Sequence, residues 1–194
     1  MPTASIEVHG YAIVSADDRI ADMGGSTPSA LMNEADWFNF QSELDRADII
    51  VMSRIAHEHY PNLRRRRRII VSTASQGLER RNDGWWWNPR RTPWRSVSAI
   101  VLPGGGRVAV PGGTGVYDLF LTVGYAAFHL SRARRVTLGG GRHLFSACSR
   151  GQTVEAVLAA HGLRAAEESI LDSVADVRLA VWRRPAPDRA ATRP

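Results

Sequence analysis

The densest chemistry-bearing stretch is Val108-Ala109-Val110 followed by Gly112-Gly113-Thr114-Gly115, with a helix expected over about Gly115 to Leu121. Glycines let a backbone approach a ligand closely. A helix start offers unpaired N–H groups and a positive dipole end, which suit a phosphate. A tight turn needing positive φ accounts for the same residues, and both readings stand. No Lys-Ser/Thr pair follows, so the motif is not a P-loop; lying past mid-chain, it is not a first-turn Rossmann fingerprint either. Arg54 follows the apolar run Ile49–Met52, and Ser72-Thr73 follow Ile69–Val71. Ends of neighbouring parallel strands converge on one rim, where open α/β sheets bind ligands. One guanidinium with two hydroxyls makes a pocket for a ribose phosphate, with a helix cap or turn as the competing use. Glu34 and Asp36 lie in the first turns of a predicted helix. A carboxylate facing a closed cleft can orient the amidine-like edge of a bicyclic ring and help supply a proton. The helix dipole alone also favours acids there. Phe40, one turn beyond Asp36 on the same face, suits a flat ring.

Other reactive residue types carry less. His57 and His59, two apart on a helix, diverge and make a poor metal pair; no metal is expected. His143 follows the Gly139–Gly141 turn and could line the cleft, although exposure is the ordinary outcome for a turn histidine. Trp85-Trp86-Trp87 and Trp94 can stack on a ring, cover the core or form a subunit contact. Cys148 is the single cysteine, which excludes an internal disulfide, and no Gly-x-Ser-x-Gly elbow is present. The formal charge of +6 is concentrated in Arg64–Arg68, in Arg90, Arg91 and Arg95, and near the C-terminus. Such clusters suit phosphates of any kind, and no nucleic-acid motif frames them. No signal-like N-terminus and no stretch of roughly 18 apolar residues is present, so a cytoplasmic protein without a membrane partner is expected.

The elements that must position these groups follow from patterning. Tyr11–Val14, Ile49–Met52, Ile69–Val71, Ser98–Leu102, Val108–Val110 and Arg135–Leu138 read as strands, the continuous apolar runs being covered on both faces. Helices are predicted over about Glu34–Arg46 with Asn33 as cap, over Ala56–Tyr60, and over Val154–His161 ending at Gly162. Glu168–Leu171 and Val177–Trp182 read as an antiparallel hairpin, Asp22–Ala30 as a loop, and 185–194 as a disordered tail. The alternation predicts one α/β domain over residues 1–184, a mixed and mainly parallel central sheet with helices on both faces.

In order and spacing, Ser15-Ala16-Asp17-Asp18-Arg19-Ile20-Ala21, Ala47 through Arg54, Arg68 through Thr73, and Val110 through Tyr117 resemble the dihydrofolate reductase superfamily. Gly139-Gly140-Gly141-Arg142-His143-Leu144-Phe145 is similar to its riboflavin-biosynthesis reductase branch, and Arg178 through Arg184 to the last strand. The resemblance spans roughly residues 8 to 184. It implies the three-layer reductase fold, NADPH as hydride donor, a mobile loop at Asp22–Ala30, and a homodimer. The cofactor residues it implies are Arg54, Ser72, Thr73, Gly112, Gly113, Thr114, Gly115 and Val116, with the glycine pair often joined by a cis peptide. Asp36, or else Glu34, matches the substrate-orienting acid. Trp37, Phe40, Arg66 and Tyr117 would line the substrate side, Arg66 matching an arginine that grips a folate tail. The implied substrate is a pterin, dihydrofolate or a riboflavin-pathway aminopyrimidine. A nucleotide- or ligand-binding protein on the same fold is one alternative, and a nucleic-acid binder using the arginine and tryptophan clusters is a second. Ser53 stands where the family carries Gly, and the loop Pro-Trp element is absent; both departures bear on the folate side more than on the cofactor.

Overall fold

The computed structural model describes residues 5–185. The first half holds β1 (Ile6–Ser15), β2 (Arg19–Ala21), α1 (Glu34–Asp45), β3 (Ile49–Ser53), α2 (Arg54–His59), β4 (Arg68–Val71), β5 (Leu78–Arg81) and β6 (Gly84–Trp87). Then come α3 (Trp94–Val101), β7 (Gly106–Gly112), α4 (Thr114–Val123), β8 (Ala127–Ala133), β9 (Arg142–His143), α5 (Val154–Ala160), β10 (Arg164–Ala165), β11 (Ser169–Asp172) and β12 (Val177–Arg183). The main sheet runs β10-β12-β8-β1-β7-β3-β4-β6-β5, with β11 paired to β12, while β2 and β9 form a small sheet of their own. The pairings β8–β1–β7–β3–β4–β6 are parallel. Those involving β12, and the β5–β6 hairpin, are antiparallel. The mixed, mainly parallel sheet and its antiparallel C-terminal hairpin are therefore present.

Strand alternation divides the core between the two faces. Val14, Val51, Val110 and Phe128 point into one layer with Val97 and Val101 of α3, Val116 and Phe120 of α4, and Leu158 of α5. Tyr11, Ile50, Met52 and Ala109 point to the other, under Phe40 and Leu44 of α1. Ile49–Met52 are all buried because both faces are covered.

Two expected strands are corrected. Ser98–Leu102 belongs to α3: Trp94, Val97 and Val101 recur at helical spacing and pack inward. Arg135–Leu138 is not a strand, and its place in the sheet is taken by β8 at Ala127–Ala133. That strand buries His129 and Ser131 under α1, so its polar alternation hides a strand buried on both faces. The tryptophan segment forms β6 and leads into α3. Trp94 lies 5.5 Å from Trp87 and 5.0 Å from Phe120 between ring centroids, making both tryptophans core residues. Beyond Pro185 the expected tail lies outside the described residues. Among those residues no helix is long and apolar enough to cross a membrane.

Candidate active site

The C-terminal ends of β3, β4 and β7 share one rim because the strands are parallel and in register, Ser53 beside Val71 and Met52 beside Gly112. Ser53 Oγ caps α2 by accepting from the Ala56 N–H at 3.2 Å. A Cβ added to Gly113 would stand 3.3 Å from that Oγ, so a side chain there would press Ser53 aside, whereas a Cβ at Gly115 meets nothing. The Gly112–Gly113 peptide is cis. No side chain caps α4. Its first N–H groups, at Thr114 and Gly115, therefore lack intrahelical acceptors and face an open surface. Thr114 Oγ1 is turned away to donate to the His143 carbonyl at 2.6 Å.

Arg54, at the start of α2, is half exposed and paired with Glu58 at 2.6 Å. Ser72 is buried, its Oγ accepting from the Ala74 N–H at 3.2 Å, while Thr73 is exposed. Arg54, Ser72, Thr73 and Gly112–Gly115 thus share one rim. Val116 does not present its side chain there: it is 2% exposed, and its N–H is spent on the Gly113 carbonyl. Tyr117 is a second correction. Its ring is buried among Phe128 and Phe145, and its hydroxyl donates to the Tyr11 carbonyl at 2.6 Å, which removes it from the substrate side. Burial raises its pKa well above the usual tyrosine value.

The two acids of α1 part company. Asn33 Oδ1 caps the helix by accepting from the Asp36 N–H at 3.1 Å. The Asp36 carboxyl is half-buried beside Ser131 of β8; burial raises its pKa, and the neighbouring Ser131 hydroxyl only partly opposes that. Glu34 is exposed and lines a groove of about 550 Å³ on the outer side of α1 with Trp37, Phe38, Gln41, Arg64 and Asp172. Trp37 is 54% exposed there. Phe40 is half-buried, 6.3 Å from the Tyr11 ring. Arg66 lies elsewhere: it holds Asp45 at 2.6 Å and the Gln41 carbonyl at 3.2 Å, near the C-terminal end of α1.

Sheet register relates the carboxylate to the glycine turn. Gly10 pairs with Val110 on one side of β1 and with Phe128 on the other, so Gly112 and Leu130 share a level and Ser131 stands one residue further on. Asp36 lies beside Ser131, on a strand two spacings (about 10 Å) across β1 from the strand that ends in the Gly112–Gly113 turn. Ser131 escaped sequence reading, whereas His143 reads in sequence as a turn residue that could line the cleft. His143 Nδ1 is buried without a partner, and its carbonyl meets Thr114 at the start of α4. The only sequence signal for it was its position just after the glycine turn.

Solved structures share this architecture. A riboflavin biosynthesis protein from Shewanella sp. PV-4 matches 93% of this chain and 100% of its own, with 14% identity and a TM-score of 0.61. Dihydrofolate reductase from Enterococcus faecalis, complexed with NADP(H), matches 93% of this chain and 97% of its own at 10% identity and a TM-score of 0.64. A diaminohydroxyphosphoribosylaminopyrimidine deaminase/5-amino-6-(5-phosphoribosylamino)uracil reductase from Thermotoga maritima matches 93% of this chain at 11% identity and a TM-score of 0.67. The present chain spans 57% of that bifunctional protein's length. No family model matches the sequence, and no curated protein matches it.

Proposed function

Starting from a chain whose fold is that of the dihydrofolate reductase-like proteins, we propose that it is an NADPH-dependent reductase of a small heterocycle. The observation that carries the reading is Asp36: a half-buried carboxyl with a raised pKa, beside Ser131 on the sheet, near the level of an uncapped glycine turn. The rim fits a dinucleotide. Gly113 leaves room where a side chain would crowd Ser53, Gly115 leaves the start of α4 open, and Arg54 and Thr73 are exposed beside it. The free N–H groups of Thr114 and Gly115 and the dipole of α4 would hold phosphate oxygens, with Arg54, Ser72 and Thr73 toward a ribose phosphate. Bound there, NADPH supplies the hydride.

The chain's own part is orientation and proton delivery. When protonated, Asp36 donates to a ring nitrogen, and when ionised it accepts from an amino group on the same edge; burial shifts it toward the protonated form. Ser131 lies beside the carboxyl, and Phe40 supplies an apolar wall. With Arg66 committed to Asp45, the reading favours a pterin or aminopyrimidine ring over a substrate gripped by a carboxylate tail. The test is a fluorescence and thermal-shift titration with NADPH and NADH, followed by turnover with dihydropterins and aminopyrimidines. NADPH binding tighter than NADH, weakened about tenfold by Arg54→Ala, is expected. Binding without oxidation of NADPH would mark a ligand-binding protein on this fold. No binding of either nucleotide would end the cofactor reading.

A further inference from the structure

At the opposite end of the sheet, where β4 and β6 begin, lies a cavity of about 600 Å³. It is bounded by the loop after α2 and by the β5–β6 hairpin. Five arginines line it, Arg65, Arg66, Arg67, Arg68 and Arg80, together with His57, Asn62, Asn82 and the single carboxylate Asp83. That carboxylate is already engaged, 2.9 Å from His57 Nε2 and accepting from Trp86 Nε1 at 2.9 Å. Arg66 is held by Asp45. Among the described residues, Arg65, Arg67, Arg68 and Arg80 form no ion pair.

Arg68 is the informative one. It is 8% exposed, yet its guanidinium meets only the Tyr60 carbonyl at 2.9 Å and His57 Nδ1 at 3.1 Å, both through one nitrogen. Its Nε is buried with no hydrogen-bond partner. Burial and the neighbouring Arg66 lower its pKa. A buried guanidinium without a carboxylate is a costly arrangement, and an anion bound in the cavity would relieve it. The surrounding charge points to more than one negative charge, and Arg80 lies 5.5 Å over the Trp85 ring, which adds an aromatic wall. We propose that this cavity is a binding site for a small phosphorylated ligand bearing a diphosphate or comparable polyanion, gripped by Arg68 with Arg65, Arg67 and Arg80. It is separate from the Gly112–Gly115 rim, since it lies at the N-terminal ends of the parallel strands.

Inorganic diphosphate is the probe, titrated by calorimetry and thermal shift at about 0.15 M salt to screen diffuse surface attraction. The expected result is saturable one-to-one binding, weakened at least about tenfold by Arg68→Met and by the exposed-site variant Arg80→Ala, and retained in Arg54→Ala. Arg68→Met is also expected to leave the ligand-free Tm unchanged or higher, because it removes an unpaired buried charge. Should Arg68→Met fail to fold, the Arg80→Ala result decides. Absence of saturable binding, equal binding by the Arg80→Ala protein, or loss of binding in Arg54→Ala would each overturn the proposal. Tight, salt-steep binding of an RNA oligonucleotide with no saturable diphosphate binding would replace it with a nucleic-acid surface.

Discussion

Asp36 and Glu34 are two residues apart on one helix and experience opposite surroundings. Asp36 lies against Ser131 with its pKa raised by burial, whereas Glu34 projects into solvent. The sign of the resulting pH effect follows from linkage. A carboxyl whose folded pKa is raised makes the native state bind its proton more tightly, so stability falls as pH rises from the ordinary carboxylate range through the raised value. Asp36→Asn is therefore expected to raise the Tm of the ligand-free protein at neutral pH while lowering kcat/KM roughly 100-fold. A thermal melt and a steady-state assay on the same preparation check both halves. A neutral melt that falls instead would mean that the carboxylate supports the fold. The helix position of Asp36 could be read from the chain, since Asn33 marks the cap. Its partner Ser131 could not, because a pairing across some 95 positions of sequence is made by the sheet and leaves no local pattern.

At the scale of elements, the turn from β7 into α4 carries the most specific expectation. Gly115 sits exposed in the first helical turn with open space around it. A carboxylate placed there complements the helix dipole by about 0.3–1 kcal/mol. It also repels any phosphate approaching the same N–H groups. Gly115→Glu should thus raise or preserve the denaturation midpoint while weakening NADPH binding at least about tenfold, a split that a merely structural turn would not produce. This β7–α4 unit was legible because apolar strand, glycines and helix follow in order. So were β3 and β4, whose continuous β-branched runs admit few other readings. β8 was not: His129 and Ser131 interrupt its apolar run, and their burial depends on partners from α1 and β1. α3 was misread because its short apolar sequence fits either period, and packing against Phe120 decided it. The edge hairpin β5–β6 was invisible for a related reason, since apart from Leu78 and Gly84 its strands are charged or aromatic and Arg80 and Arg81 lie over Trp85 and Trp86.

For the molecule as a whole, α1 is fastened to the sheet at both ends. At its start Asn33 donates to Asp172 at 2.8 Å; near its end Glu43 accepts from Arg107 at 2.6 Å and from Arg46 at 2.5 Å. His9, Tyr11 and His129 complete the second fastening, with Tyr11 and His129 stacked at 4.6 Å. Burial lowers the pKa of His129 from 6.5 to about 4, opposed by the Glu43 carboxylate. Burial alone would raise the pKa of Glu43, but Arg107, His129 and Arg46 outweigh it and the net shift is downward. Between pH 6.5 and about 4 the unfolded chain binds a proton that folded His129 refuses, so stability falls with acid across that window. Glu43 adds a further loss at lower pH, as it is protonated through its depressed value. His129→Gln should flatten the upper part of this acid limb in melts recorded from neutral pH downward, leaving the lower part in place. An unchanged limb would show that another group governs it.

The place of β1 in the sheet also bears on how the chain comes to be folded. Its two neighbours, β7 and β8, begin at Gly106 and Ala127, so more than half of the sequence is made before either is available. During synthesis the first strand emerges with both hydrogen-bonding edges unpaired, and local contacts alone cannot satisfy them. Closure of the core waits on the glycine turn, α4 and β8, which is the order of events expected for a topology dominated by distant pairings. The segment that carries the candidate cofactor turn is thus also the segment whose arrival lets the nascent polypeptide commit to its fold.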